Sequence, residues 1–242
     1  KYGGFMKKKL LIITLLGFVL FNITGCFDNN DLEGSNMTTT TYPVEYLVTR
    51  LYGEHANITS IYPNGTTVSE YDLTEKQINN HADNTDLFIY NGLIEKERNL
   101  AVDLLDLNPN LKIIDTAYVL ETDYSPEELW LNPSSLLMMA QNVRLGLQEY
   151  ITSSYLKKEV DANYDELKVE LSELDAKYRV DVENTDNKTI VVANSALKYL
   201  EKFGIEVICI DNDATAKTLS VVNKLIEDKA ISYVTIFKND KL

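Results

Sequence analysis

SYLKKEVDANYDELKVELSELDAKYRVDVEN, residues 154–184, decides the fold. Its apolar side chains fall at Val160, Tyr164, Leu167, Leu171, Leu174, Tyr178 and Val182, at intervals of 4, 3, 4, 3, 4 and 4 residues. That spacing keeps a single stripe on one face of an α-helix and leaves charge on the other. At 1.5 Å per residue such a helix reaches about 45 Å, longer than one small lobe needs. A coiled-coil segment is the rival reading. Strands and helices alternate on both sides of the segment, and that favours a spine joining two lobes.

Upstream of the spine, residues 37–41 are β-branched and read as a strand. Pro43 then opens a helix with Val44, Leu47, Val48 and Leu51 on one face, and Gly53 stops it. Residues 57–62 form a second strand, closed by the turn Pro63-Asn64-Gly65. Thr74 caps a helix running to about Ala82. Residues 86–90 (DLFIY) and 111–115 (LKIID) are further strands, with a helix over 94–107 between them. Strands separated by helices predict a parallel sheet covered on both faces, here an α/β lobe over 37–131. Asn132-Pro133 is a cap followed by a first-turn proline, and a helical connection fills 132–187.

Downstream, 188–242 reads as a partial second α/β lobe. Strands are expected over 189–193, 206–210 and 232–237, and helices over 195–203 and 214–228. Cys209 reads as a small buried apolar residue within a strand. A lobe matching the first needs another helix and strand, so the second is expected to be incomplete. The fold class is therefore α/β: two parallel-sheet lobes joined by one long spine helix.

The N-terminus reads as an address. Lys7-Lys8-Lys9 precede an apolar run over 10–21, shorter than the ~20 residues of a comfortable transmembrane helix. A basic start, a short apolar stretch and then small residues describe a secretory signal over 1–25, with residues 1–5, before Met6, read as either upstream translation or non-native sequence. Ile23-Thr24-Gly25-Cys26 resembles a bacterial lipobox. It implies a lipidated Cys26, anchored in the bilayer outside the cytoplasm. Residues 26–36 (CFDNNDLEGSN) then read as a polar tether, too polar to pack.

Residues 1–25 hold four Lys and no acid, so the rest carries 19 basic against 37 acidic side chains. That balance argues against nucleic acid, which needs a basic footprint. Two Cys exclude a disulfide scaffold or a Cys-rich zinc module, and two His leave little for a histidine-built metal site. There is no Gly-rich phosphate loop, no His-Glu-x-x-His and no Gly-x-Ser-x-Gly, so the chain does not read as an enzyme. Glu127-Glu128 is a pair of acids, but any acidic chain offers such pairs.

Several segments match one pattern in order: the lipobox, Thr40-Thr41-Tyr42-Pro43, Pro63-Asn64-Gly65, Asp86-Leu87 with Tyr90-Asn91-Gly92, Trp130-Leu131-Asn132-Pro133, and Val191-Val192-Ala193 with Tyr199. From residue 37 onward the chain resembles the metal-binding (zinc/manganese, ZnuA/TroA-like) substrate-binding lipoproteins of ABC transporters. The resemblance implies two lobes bridged by a rigid helix, a divalent metal ion carried between them as transported ligand, and delivery to a membrane permease. The chain is expected to work as a monomer. Some members in streptococci are described as adhesins.

The resemblance also implies where ligands should fall. The family's first His position holds Ser69, the second Glu128 and the third Asn194; the fourth ligand is expected beyond Leu242. Glu70, Asp72, Asn91 and Trp130 are cleft candidates, with Trp130 reading more as inter-lobe packing. None of the three visible positions keeps its His. His55 and His81 fall elsewhere and read as surface or capping residues. Oxygen donors suit manganese, magnesium or calcium better than zinc, so a retained site would take a harder cation more weakly. The competing reading keeps the scaffold as a binding or adhesion module without metal. In it Glu128 is simply solvated and Asn194 caps the helix at Ser195.

Overall fold

The computed structural model describes residues 32–122, 125–211 and 214–236. The signal, Cys26 and the start of the tether lie outside the described residues. Strands β1 (Asn36–Thr39), β2 (Asn57–Ser60), β3 (Leu87–Tyr90) and β4 (Lys112–Asp115) form one parallel sheet in the order β2-β1-β3-β4. Helices α1 (Tyr42–Tyr52), α2 (Glu75–Asn84) and α3 (Glu95–Leu107) are the crossovers. Thr74 caps α2 through a capping box with Gln77.

In β3, Leu87 and Ile89 point to one face and Phe88 and Tyr90 to the other, and all four are buried. A central strand covered on both sides gives that pattern. The first face packs on α1, α4 (Pro133–Tyr150) and α5 (Ser154–Glu183). The second packs on α2 and α3 through residues such as Ala82, Leu100 and Leu104.

Helix α5 is the spine, and its stripe is divided between two cores. Val160, Tyr164, Leu167 and Leu171 are buried with α1 and α4. Leu174 is 41% exposed and marks the seam. Beyond it the Tyr178 ring meets Tyr199 edge-on at 6.2 Å, and Val182 joins the second lobe's core with Val192, Ile205 and Val207. Polar ties hold the first half: Arg50 to Glu170 at 2.8 Å, Arg144 to Asp161 at 2.6 Å, and His55 to Glu159 at 2.9 Å. His55 thus pairs with the spine instead of capping or facing solvent alone. His81 is half-buried, which holds its imidazole below the usual range.

The second lobe pairs β5 (Thr189–Val192) and β6 (Glu206–Cys209) in parallel. Between them Ser195–Phe203 is a 3-10 helix, not an α-helix, and α6 (Ala216–Glu227) follows β6. The apolar sets Ala196/Tyr199 and Leu197/Leu200/Phe203 recur every third residue, which suits three residues per turn.

Three sequence expectations need correction. Residues 32–36 are not tether: Leu32 is 1% exposed in the first core, and the Asn36 N–H bonds Asp86 Oδ2 at 2.8 Å. One leucine in a polar run is enough when a strand begins four residues later. The strand expected over 232–237 reduces, in its described part, to a single bridge between Thr235 and Val192. Cys209 ends β6 half-buried, its thiol donating to Asp211 at 3.2 Å, and burial followed by that contact pushes the thiol up.

Candidate functional site

The chain leaves β1 toward β2 on one side of the sheet, while β3 flanks β1 on the other. Loops after β1 and β3 therefore diverge, and ligands of open parallel sheets bind at such a switch point, outside the carboxyl ends of the strands. A cavity of about 300 Å³ lies there. Its walls are residues 41–44 after β1, 62–68 after β2, Asn91 and Ile94 after β3, and the 3-10 helix Pro126–Leu131. The 62–68 segment turns at Gly65, whose φ of 81° disfavours any residue with a Cβ.

Glu127 and Glu128 are the charged side chains in that wall. Burial raises the Glu127 carboxyl above its usual range, and the neighbouring Glu128 and Glu70 add to the effect. The Ser69 hydroxyl and Lys96 pull the other way. The Glu128 and Glu70 part of that effect is repulsion between like charges, which a cation would relieve. Trp130, 38% exposed, forms part of the same wall.

Asn91 is a brace. Its Nδ2 donates to Pro126 O at 2.9 Å, its Oδ1 accepts from the Leu93 N–H at 3.1 Å, and its own N–H bonds Glu97 Oε2 at 2.7 Å. Gly92 follows with its N–H on Asp115 Oδ1 at 2.8 Å, and a Cβ there would lie 2.6 Å from that oxygen. Beneath them Glu97 is fully buried. Its carboxyl is pushed up to about 7, first by burial and secondarily by Glu127 and Asp115, against Thr40 and the Asn91 N–H. Neither Glu97 Oε1 nor Thr40 Oγ1 has a partner of good hydrogen-bond geometry. Burial, with Glu97 and Asp72, pushes the Tyr62 phenol up to about 12.

The residues expected as ligands do not converge. Glu128 lines the cavity. Ser69 serves the Glu127 carboxylate and lines an adjoining hollow with Asp72. Asp72 is paired with Lys96 at 2.6 Å. Glu70 is exposed and acts on Glu127 only as nearby charge. Asn194 accepts from the Ala196 N–H at 3.0 Å, capping the 3-10 helix, and does not line the cavity. No cluster of three or more His, Cys, Asp or Glu suited to a metal occurs among the described residues. Glu127 was missed as a site residue, although it directly precedes Glu128 and stands three residues before Trp130. Glu97 carried no sequence signal beyond its place in an acidic helix.

Comparison with known proteins places this architecture. The family described as "Zinc-uptake complex component A periplasmic" (ZnuA) matches residues 37–240. The zinc-binding lipoprotein AdcA of Streptococcus pneumoniae (strain ATCC BAA-255 / R6) is 24% identical over 261 residues, covering 97% of this chain and 51% of AdcA. The chain thus spans about half the length of that relative. The crystal structure of the Zn(II)-bound ZnuA-like domain of Streptococcus pneumoniae AdcA superposes with a TM-score of 0.68 at 22% identity, covering 84% of this chain and 78% of that one. The laminin-binding protein Lbp of Streptococcus pyogenes gives 0.70 at 20% identity, covering 86% and 81%. The fold expected from the spine is the fold of these proteins. No helix among the described residues is long and apolar enough to cross a membrane.

Proposed function

The chain belongs to the family of periplasmic component A proteins of zinc-uptake complexes, and from that premise we propose that it is an extracytoplasmic solute-binding protein of a metal-type ABC importer. It captures a divalent cation in the cavity at the carboxyl ends of β1 and β3 and hands it to a membrane permease. Cys26 carries the lipid anchor, and the protein works as a monomer without catalysis. The spine keeps lobe movement small.

One observation carries the reading: the cavity wall holds two adjacent carboxylates and no cationic side chain. Glu128 is the first ligand, with Glu127 beside it. An all-oxygen set suits a hard ion such as Mn²⁺ better than Zn²⁺. Ser69 acts through Glu127, and Asn194 serves as the cap of the second lobe's 3-10 helix.

Calorimetry of the mature protein with Mn²⁺ and Zn²⁺, beside thermal unfolding, tests this. Ion at a hundredfold excess over its dissociation constant should stabilise the wild type by about 2.7 kcal/mol. The Glu127→Gln, Glu128→Gln double variant should lose at least about tenfold in affinity, roughly 1.4 kcal/mol. Neither heat nor a thermal shift with either ion would remove metal capture and leave a scaffold that binds something else.

A further inference from the structure

The 3-10 helix Pro126–Leu131, which carries Glu127, Glu128 and Trp130, is pinned at both ends by side chains from different parts of the molecule. Its start is held by Asn91, through Nδ2 to Pro126 O at 2.9 Å. Its end runs into Asn132, whose N–H returns to Leu129 O and whose Oδ1 caps α4 through the Ser134 N–H. That same Oδ1 accepts from Lys202 Nζ at 3.0 Å. Lys202 belongs to the second lobe's 3-10 helix, Ser195–Phe203.

The Lys202 ammonium has three further-reaching contacts in all: Asn132 Oδ1, Ser134 Oγ at 2.8 Å and Asp175 Oδ1 at 2.7 Å. An ammonium has three protons, so each has an acceptor. Asp175 is on the spine, and its other oxygen accepts from Arg179 at 3.2 Å. Burial alone would raise the Asp175 carboxyl, but Lys202 and then Arg179 outweigh it and hold it below its usual range. The Lys202 and Asp175 side chains are 28% and 19% exposed, more sheltered than an ordinary surface pair. The Lys202 and Arg179 cations also flank the Phe203 ring, at 4.6 and 5.5 Å. Only Lys202 of the two reaches the segment before α4.

We propose that Lys202 is a positioning residue for the cavity: through Asn132 and Ser134 it lets the second lobe set where Glu127 and Glu128 stand. This rests on the cavity being the cation site. The carboxylate-bearing segment is then a strut between the lobes, with Asn91 as its fixed foot and Lys202 as the contact through which lobe orientation reaches ligand affinity. Asp175 orients the ammonium, which also lies over the Phe203 ring.

Lys202→Met keeps most of the unbranched apolar stem and removes the ammonium. Arg179→Met is the matched control, since it weakens the same anchor without touching Asn132. Two readouts are taken on the whole mature protein. Mn²⁺ and Zn²⁺ dissociation constants should rise about five- to tenfold in Lys202→Met, about 1–1.4 kcal/mol, and stay within twofold of wild type in Arg179→Met. Acrylamide quenching of Trp130, the only tryptophan, needs no metal and should change in Lys202→Met but not in Arg179→Met. Lys202→Arg should restore most of both. Wild-type quenching and affinity in Lys202→Met, or equal changes in the two Met variants, would overturn the proposal. If the wild type binds neither ion, the cavity reading fails, and Trp130 quenching alone decides whether Lys202 positions the segment.

Discussion

Leu167→Ala is expected to lower unfolding free energy by about 2–5 kcal/mol, the range for truncating a fully buried leucine. Leu167 is 0% exposed and lies where the spine crosses α1 and α4. The core it belongs to is shared by three helices, so its truncation leaves a cavity among them. A domain has only about 5–15 kcal/mol of stability, so the loss is a large share of the total. Leu174→Ala, one heptad further along the same stripe, is the comparison. Leu174 is 41% exposed at the seam between the two cores, and its truncation should cost under about 1 kcal/mol. Urea unfolding of both variants gives the contrast directly. Equal losses would mean that the spine is one continuous buried stripe and that the seam carries no relief.

That contrast also shows what the sequence can and cannot say. The periodicity of residues 154–184 identifies a helix and the face it buries, because an apolar stripe has to be covered by something. It does not say that the cover changes at Leu174, since spacings of three and four residues, all compatible with one helical face, run on across the seam. Likewise DLFIY and LKIID read as strands because continuous β-branched and aromatic runs fit a sheet buried on both faces. The run over 232–237 has the same character but, in its described part, forms only a bridge at Thr235, since strand pairing depends on the neighbour as well as the residues. Leu32 escaped notice because burial of one apolar side chain among polar neighbours is decided by distant elements.

The lining of the candidate cavity was legible only in part. Family positions led to Glu128, and it lines the cavity. The same positions led to Ser69 and Asn194, whose polar atoms are taken up by Glu127 and by the Ala196 N–H. A hydrogen bond to a backbone group or an adjacent carboxylate is a matter of tenths of an ångström. Nothing in residue type separates a free oxygen donor from a committed one. Glu97 illustrates the limit best: in sequence it is one more acid on the helix that begins at Glu95, yet it is the fully buried carboxyl under the cavity.

Glu97→Gln is expected to change how stability depends on pH. The Glu97 carboxyl stands at about 7 in the folded protein against an ordinary 4.5. Below about 4.5 both folded and unfolded chains hold the proton, and the group contributes no slope. Between 4.5 and 7 the unfolded chain ionises while folded Glu97 keeps its proton, so the folded state binds more protons and stability falls as pH rises. Above 7 the loss is complete, and at about 1.36 kcal/mol per pKa unit it amounts to roughly 3 kcal/mol. The groups that face Glu97 agree with the sign: Asp115 and Glu127 oppose its charge, and Tyr62 is itself pushed up by it. Gln keeps an oxygen for the Asn91 N–H and presents an amide to Thr40 Oγ1, which has no well-formed partner now. Paired carboxylates such as Asp175, held low by Lys202 and Arg179, give the opposite slope in both proteins and cancel in the difference. Denaturation of wild type and variant at several pH values should therefore show the difference moving by about 2–3 kcal/mol in favour of Gln between pH 5 and 8. Parallel curves would mean that Glu97 is already ionised in the fold. The buried oxygen would then need a compensating positive charge, and none faces it among the groups that set its titration.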